Sequence, residues 1–174
     1  IQHGHIDFGE NKVQEAVDKW TGLRKENPNV KLHMIGKLQT NKVKYAVKLF
    51  DYIHSVDNEK LARKISEEGK KINKKIKVFI QVNIGGEDQK SGVNKMDLNH
   101  LVSYCDEIKL DVIGLMCIPP VDEDPTKYFK EISKLNKDLG FFELSMGMSS
   151  DYLRASEYSA TYLRIGSSIF GQRS

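Results

Sequence analysis

The chain has 174 residues, of which 39% are hydrophobic and 29% are charged; this is the size and composition of one globular domain with a sizeable core. The net charge of +3 is modest, and the densest basic run, residues 70–75, lacks interleaved aromatic residues. It therefore fits a solvated helix end better than a nucleic-acid surface. The sequence has no apolar run near the roughly 20 residues that cross a bilayer and no signal peptide. We expect a single domain over residues 1–174, without nucleic-acid or membrane partners.

Short apolar runs alternate with longer amphipathic runs along the whole chain. Apolar, β-branched runs predict seven strands, at residues 5–8, 31–36, 52–56, 76–84, 110–118, 143–145 and 162–165. Helical spacing of apolar residues predicts the segments between them, at about 13–23, 39–50, 57–73, 96–108, 125–139 and from 151 onward. Asp57 is the predicted N-cap of the third helix.

Each predicted strand is followed by a helix, except the last, whose partner is cut short. This alternation predicts a parallel sheet, either open and doubly wound or closed as a barrel. No G-x-G-x-x-G motif follows a strand, which argues against a dinucleotide-binding open sheet. Barrels often bind phosphate after their last two strands, where this chain carries Gly/Ser turns. We therefore predict an α/β fold, a (β/α)8 TIM-type barrel that lacks its first strand and shows seven parallel strands.

The two Gly/Ser turns are Ser-Met-Gly-Met-Ser at 145–149 and Arg-Ile-Gly-Ser-Ser at 164–168. Each follows a short apolar stretch and offers hydroxyls and backbone N–H groups. Successive parallel strands usually lie side by side, so the two turns are expected to converge. Backbone N–H and hydroxyl donors bind an oxyanion without a lysine. The pair of turns predicts a phosphate site.

Arg164 lies in an otherwise apolar strand, two positions before Gly166. Burying an arginine without a partner is costly, so two interpretations remain open. Arg164 forms a salt bridge inside the barrel, or it points its charge at the ring of a phosphate ester held by the turns.

Several polar residues at other strand ends have two interpretations each. Asn11 is either a helix N-cap or a ligand contact over the barrel mouth. Glu10 fits a salt-bridge or capping partner better than an acid catalyst. Lys37 and Lys42 would attract an anion, although exposed lysines at helix starts usually have no specific role.

The five histidines show no paired spacing for a metal site. His54 lies near the end of its strand, where a structural role fits better than one at the barrel mouth. The loop at 90–92, Lys-Ser-Gly, is a candidate lid. Cys105 and Cys117 have neither metal-ligand spacing nor a disulfide-rich context, so we expect a reducing, cytoplasmic location.

Taken in order, these segments resemble the pyridoxal-phosphate homeostasis proteins, whose fold is similar to the N-terminal barrel of alanine racemase. Each matching segment is short, but together they run from end to end of the chain and are specific. They are residues 8–15, 33–36, 38–42, 81–83, 90–92, 114–116, 144–149 with Asp151, and 164–171.

The resemblance implies that the ligand is pyridoxal 5′-phosphate (PLP) and that Arg164 faces its pyridine nitrogen. A cation there keeps the nitrogen unprotonated and weakens the ring as an electron sink. Asn11 would lie near the polar edge of the ring. The residues implied around the phosphate are Ser145, Gly147, Met148, Ser149, Gly166 and Ser167.

The resemblance also implies a Schiff-base lysine in a Val-Ser-Lys context on the first barrel strand, and this sequence has no match to it. Neither Lys37 nor Lys90 lies in the required setting. We expect the sequence to be an N-terminally truncated piece of a longer protein; a form that holds the cofactor without a covalent bond is the alternative.

The implied function is a non-catalytic, monomeric PLP carrier that maintains intracellular vitamin B6 and amino-acid homeostasis, with PLP-dependent apo-enzymes as partners. The alternative is a PLP-dependent amino-acid racemase. The resemblance implies that such a racemase has a second, C-terminal domain. This sequence ends at residues 172–174, just after the last turn, so we expect that domain to be absent and the racemase activity with it. A third class, a phosphosugar-type barrel enzyme, would need paired acid and base residues at strand ends. Apart from Glu10, the sequence offers none.

Overall fold

The computed structural model describes residues 1–87, 89 and 91–171. Over these residues seven parallel strands form one sheet in chain order. The strands are β1 (Asp7–Glu10), β2 (Lys31–Met34), β3 (Tyr52–Val56), β4 (Lys77–Val82), β5 (Asp111–Cys117), β6 (Glu143–Met148) and β7 (Tyr162–Arg164). The predicted parallel β/α organisation is confirmed.

Helices connect the strands as the alternation predicts. They are α1 (Val13–Glu26), α2 (Val43–Leu49) preceded by a 3-10 turn (Thr40–Lys42), α3 (Glu59–Lys71), α4 (Leu98–Glu107), α5 (Thr126–Asp138), α6 (Tyr152–Glu157) and α7 (Ser167–Phe170). Among the helices of the described residues, none has the length and apolar character needed to span a membrane.

The sheet curls into a nearly closed barrel. Tyr162 on β7 has its ring centroid 5.7 Å from that of His33 on β2 and 5.8 Å from that of Tyr52 on β3. These contacts bring the last strand to the second and third strands across the barrel interior. The β/α-barrel prediction is thereby confirmed.

The core lies in two layers, inside the barrel and between the sheet and its helices. In β4, for example, every residue after Lys77 is buried, as expected of a parallel strand covered on both faces. Trp20 of α1 is buried against the sheet, and its Nε1 donates to Glu10 Oε1 at 2.7 Å. Lys19 Nζ lies 2.7 Å from the same oxygen, which confirms the salt-bridge interpretation of Glu10.

Several boundaries differ from the predictions; the first strand, predicted at residues 5–8, spans Asp7–Glu10. The N-cap of α3 is Asn58, not Asp57, because the Asn58 side chain accepts the Leu61 N–H at 2.9 Å. The helix predicted from residue 39 begins as a 3-10 turn. Strand β6 continues to Met148, through part of the segment predicted as a turn, and its pairing with β7 shifts register between Ser145 and Met148.

Candidate functional site

All seven strands point the same way, so their carboxyl ends meet at one rim of the barrel, where β/α barrels carry their sites. Asn11 follows β1 at this rim, Met148 ends β6 and Arg164 ends β7. In the pairing of β6 with β7, Met148 lies opposite Arg164. The two Gly/Ser segments singled out in the sequence are therefore neighbours in the fold.

The two segments meet through the hydroxyl of Ser149. Its Oγ accepts the backbone N–H of Gly166 at 3.1 Å and that of Ser168 at 3.3 Å. These N–H groups lie at the start of α7, and the first N–H groups of a helix have no intrahelical carbonyl to donate to. An oxygen atom between two such donors is the arrangement that an anionic oxygen would also adopt.

The glycines of the two segments have different roles. Gly147 has a φ of +88°, and a Cβ there would lie 2.6 Å from the Cβ of Ala155, so only glycine fits between β6 and α6. Next to it, Asp151 Oδ1 accepts the Met148 N–H at 2.6 Å. At Gly166, a Cβ would meet no atom within 4 Å. The turn is thus rigid on one side and open on the other, which fits a phosphate group.

Arg164 is anchored under this turn by two hydrogen bonds. Its Nη1 donates to Ser145 Oγ at 2.7 Å, and its Nη2 donates to the carbonyl of Cys117 at 2.8 Å. Within the described residues, these partners are a hydroxyl and a carbonyl, not a carboxylate, so the interpretation as an internal salt bridge is wrong. Burial lowers the pKa of Arg164 from its usual value, but a guanidinium stays charged in proteins.

Ser145 lies deeper than the other predicted phosphate residues. Its side chain is fully buried, and besides the bond from Arg164 its Oγ lies 2.8 Å from His54 Nδ1. The Ser145 hydroxyl thus belongs to the barrel interior beneath Arg164, whereas Ser149 belongs to the turn.

His54 is a structural histidine, as predicted. Its other ring nitrogen, Nε2, lies 3.0 Å from His33 Nδ1, and its ring stacks on Phe79 with a centroid separation of 4.3 Å. The sequence analysis missed His33. The available signal was a pair of histidines in neighbouring, otherwise apolar strands.

A cavity of about 320 Å³ opens at the same rim and is lined mainly by polar residues. The lining consists of Asn11, Ile35, Gly36, Lys37, Gln81, Asn83, Ser91 and Ile118. Asn11 is not the N-cap of α1, because Lys12 occupies that position. Its backbone instead packs directly against Gly36, so closely that a Cβ on Gly36 would overlap the Asn11 carbonyl oxygen. This contact positions Asn11 beside the cavity.

Of the other residues singled out in the sequence, Lys37 borders the cavity and Lys42 is not among its lining residues. In the candidate lid, Lys90 lies outside the described residues. Ser91 accepts a bond from Gln81 Nε2 through its carbonyl at 3.3 Å. Residues 172–174, on which the argument about a second domain rests, also lie outside them.

Two further features of the described residues carry no candidate chemistry. A larger, mostly apolar cavity of about 410 Å³ lies between α1 and α2 on the outside of the barrel, away from the rim. No three His, Cys, Asp or Glu side chains in the described part of the chain come together as a metal site.

The fold and the site define a class: a parallel β/α barrel with an oxyanion-type turn after its last two strands and an arginine beneath it. Within that class, the chain belongs to the family described as alanine racemase, N-terminal domain, whose model matches residues 1–174.

The curated relatives include proteins called pyridoxal phosphate homeostasis protein. The one from Aquifex aeolicus is 41% identical over 176 residues, covering 95% of this chain and 76% of the relative. The one from Vibrio cholerae is 38% identical over 183 residues, covering 99% of this chain and 78% of the relative.

Solved structures agree with this placement. PipY from Synechococcus elongatus PCC7942, solved with PLP bound, superposes with a TM-score of 0.90 at 32% identity, covering 98% of this chain and 84% of PipY. An alanine racemase from Clostridium difficile 630 gives a TM-score of 0.76 at 15% identity, covering 99% of this chain and 46% of the racemase. This second likeness concerns the fold alone.

Proposed function

We propose that this protein binds pyridoxal 5′-phosphate and acts as a non-catalytic carrier that maintains intracellular vitamin B6 and amino-acid homeostasis. The observation that carries the proposal is the meeting of Ser149 with the N–H groups of Gly166 and Ser168, in the turn that follows Arg164 in the chain. It occurs in a chain whose relatives are named for PLP homeostasis, and PipY was solved with PLP bound.

The turn residues would hold the phosphate through backbone N–H groups and hydroxyls. The backbone of the turn is fixed before the ligand arrives, because Gly147 packs against α6 and the Asp151 carboxylate accepts the Met148 N–H. Preorganised donors lower the cost of binding an anion. The proposed phosphate residues are Gly147, Met148, Ser149, Gly166 and Ser167. Ser145 would instead act on the pyridine ring of PLP indirectly, because its hydroxyl accepts a hydrogen bond from Arg164.

Arg164 would face the pyridine nitrogen, and Asn11 would lie at the polar edge of the ring. When bound, PLP supplies an aldehyde and a ring that stabilises carbanions if its nitrogen is protonated. A permanently charged guanidinium opposes that protonation. Arg164 therefore opposes carbanion chemistry on the bound cofactor, which supports a carrier over a racemase.

The wider proposal is a cytoplasmic, monomeric carrier that delivers PLP to PLP-dependent apo-enzymes. The competing function is an amino-acid racemase, because the matching family model is named for alanine racemase. A racemisation assay on the PLP-loaded protein separates the two. We expect alanine racemisation at background, and a rate above background rejects the carrier.

The decisive experiment compares PLP with pyridoxal, which lacks the phosphate, by equilibrium titration of the protein expressed from its whole reading frame. Ser149→Ala removes the hydroxyl that joins the two segments, and Ser150→Ala changes the neighbouring exposed serine as a matched control. A hydrogen bond to a charged group contributes about 1.5–3 kcal/mol, so we expect Ser149→Ala to weaken PLP binding about 10- to 100-fold.

The same variant should leave pyridoxal binding unchanged, and Ser150→Ala should bind both ligands as the wild type does. The absence of saturable PLP binding by the wild type would reject the proposed function. Equal losses for PLP and pyridoxal in Ser149→Ala would reject the assignment of the phosphate to this turn.

A further inference from the structure

A continuous chain of hydrogen bonds crosses the barrel interior beneath the proposed site. From Arg164 it passes to Ser145 Oγ at 2.7 Å, to His54 at 2.8 Å and on to His33 at 3.0 Å. It ends at Asp7, whose Oδ1 lies 3.1 Å from His33 Nε2. These bonds join side chains of β7, β6, β3, β2 and β1, so they link a cation on one edge strand of the sheet to a carboxylate on the other edge strand.

The carboxylate sets the direction of every bond in this chain. An ionised Asp7 only accepts, so His33 carries its proton on Nε2 and accepts on Nδ1. His54 Nε2 must then donate to His33, which leaves His54 Nδ1 as an acceptor. Ser145 donates to that nitrogen, and its oxygen accepts from Arg164. Each donor therefore points from Arg164 toward Asp7.

Packing holds this arrangement in one conformation. His33 is 4% exposed, His54 is 1% exposed and Ser145 is fully buried. The His33 ring stacks on Tyr52 with a centroid separation of 4.3 Å and an interplanar angle of 5°. Burial lowers the pKa of both histidines, that of His54 well below its usual value, and thereby favours the neutral form of both rings.

We propose that His54 is a positioning residue: acting through Ser145, it orients the Arg164 guanidinium toward the ring of bound PLP. This inference rests on the proposed function. Its physical reason is that the Ser145 hydroxyl would otherwise rotate. With an acceptor at His54 Nδ1, the Ser145 O–H points inward and its lone pairs face Arg164.

The opposite tautomer of His54 would remove the acceptor that orients the Ser145 hydroxyl. A proton on Nδ1 would place two donors, His54 and Arg164, against one hydroxyl oxygen. The Ser145 O–H would then need another acceptor in a buried site, and an unsatisfied buried group is costly. Asp7 and His33 exclude that tautomer, although neither touches Ser145.

The series of hydrogen bonds from Arg164 to Asp7 can be tested without the cofactor. In protein labelled with ¹⁵N-histidine, long-range ¹H–¹⁵N correlation spectra identify the protonated nitrogen of each ring. We expect both His33 and His54 to be neutral and protonated on Nε2. Ser145→Ala should shift the Nδ1 resonance of His54 and leave the tautomer of His33 unchanged. A proton on Nδ1 of His54 overturns the proposal, whether or not PLP binds.

Two substitutions of His54 test the effect on the cofactor, because the short Asn side chain and the longer Gln side chain place their amide groups near different ring nitrogens. His54→Asn can place an amide oxygen near the position of Nδ1, which keeps the acceptor for Ser145. His54→Gln reaches toward Nε2 and leaves Ser145 without that acceptor. Losing one net hydrogen bond corresponds to about 1 kcal/mol, or about a fivefold loss of PLP affinity. We expect this loss in His54→Gln and not in His54→Asn.

The absorption spectrum of bound PLP gives the second readout, because it reports ring protonation. In His54→Gln the band should move in the same direction as in Arg164→Ala, while His54→Asn should keep the wild-type band. Circular dichroism and urea unfolding confirm that both variants fold. If the wild type binds PLP and both His54 variants keep its spectrum and affinity, His54 does not position Arg164. If the wild type binds no PLP, the proposed function fails. The histidine spectra then still decide whether the hydrogen bonds from Ser145 through His54 to His33 form as described.

Discussion

Gly147→Ala should destabilise the protein strongly, because this position combines a positive φ with a crowded surrounding. At a φ of +88° the new Cβ would lie 2.6 Å from Ala155 Cβ and 3.0 Å from Leu163 Cδ2. A left-handed conformation costs an L-residue about 1–2 kcal/mol, and overpacking a core position costs about 1–3 kcal/mol. Together they predict a loss of about 2–5 kcal/mol in the free energy of unfolding.

Urea denaturation measures this loss, with circular dichroism and the fluorescence of the single tryptophan, Trp20, as independent probes. The matched control is Gly166→Ala in the second segment. There the φ of −123° is open to any residue and a Cβ meets no atom within 4 Å. We expect its free energy of unfolding to stay within about 1 kcal/mol of the wild type.

The two glycines should also separate stability from binding. The methyl of Gly166→Ala fills the open side of the proposed phosphate turn, so PLP affinity should fall while the fold persists. A loss of less than about 1 kcal/mol in Gly147→Ala would refute the steric argument, since neither Ala155 nor Leu163 would then resist the methyl group.

Two further predictions concern stability. Below pH 6.5 the histidines of the unfolded chain take up protons while buried His54 stays neutral, because burial depresses its pKa. The unfolded state thus binds more protons and stability falls as the pH falls; a histidine kept neutral at pH 5.5 costs up to about 1.4 kcal/mol relative to neutral pH. Urea titrations at both pH values should show a smaller loss for His54→Asn, and equal losses would contradict the reasoning. Asn58→Ala should cost about 1 kcal/mol by removing the cap on the Leu61 N–H, whereas Asp57→Ala should be nearly neutral; a reversed order in thermal melts would restore Asp57 as the cap.

The sequence predicted that the two Gly/Ser segments meet at one rim, but it did not predict the side-chain contacts beneath them. Gly/Ser segments after the last two strands were enough to place the rim, since parallel strands end at one edge. The partners of Arg164 were not predictable, because Ser145 and the carbonyl of Cys117 are 19 and 47 residues away in the chain. Asn11 was likewise ambiguous until its contact with Gly36 was known.

Local preferences also left close alternatives undecided. Asp57 and Asn58 are both good N-caps, and the structure shows that Asn58 is the one that accepts the Leu61 N–H. At β6, pairing with β7 carries the strand to Met148 through Gly147, whose φ is +88°, although Ser-Met-Gly-Met-Ser has the composition of a turn. At β6 this tertiary pairing outweighed the local preference for a turn.

By itself the sequence determined the architecture, because the alternation of apolar runs with amphipathic helices leaves few ways to bury every strand on both faces. It also predicted which segments carry the hydroxyl and backbone N–H groups of the proposed phosphate turn, because those groups are local to the backbone. Only the tertiary structure decided that Ser149 joins the two segments and that Ser145 belongs beneath them. The reason is that closing the barrel brings side chains from β1, β2, β3, β6 and β7 into one series of hydrogen bonds, buried from Ser145 to His33, which no local pattern encodes.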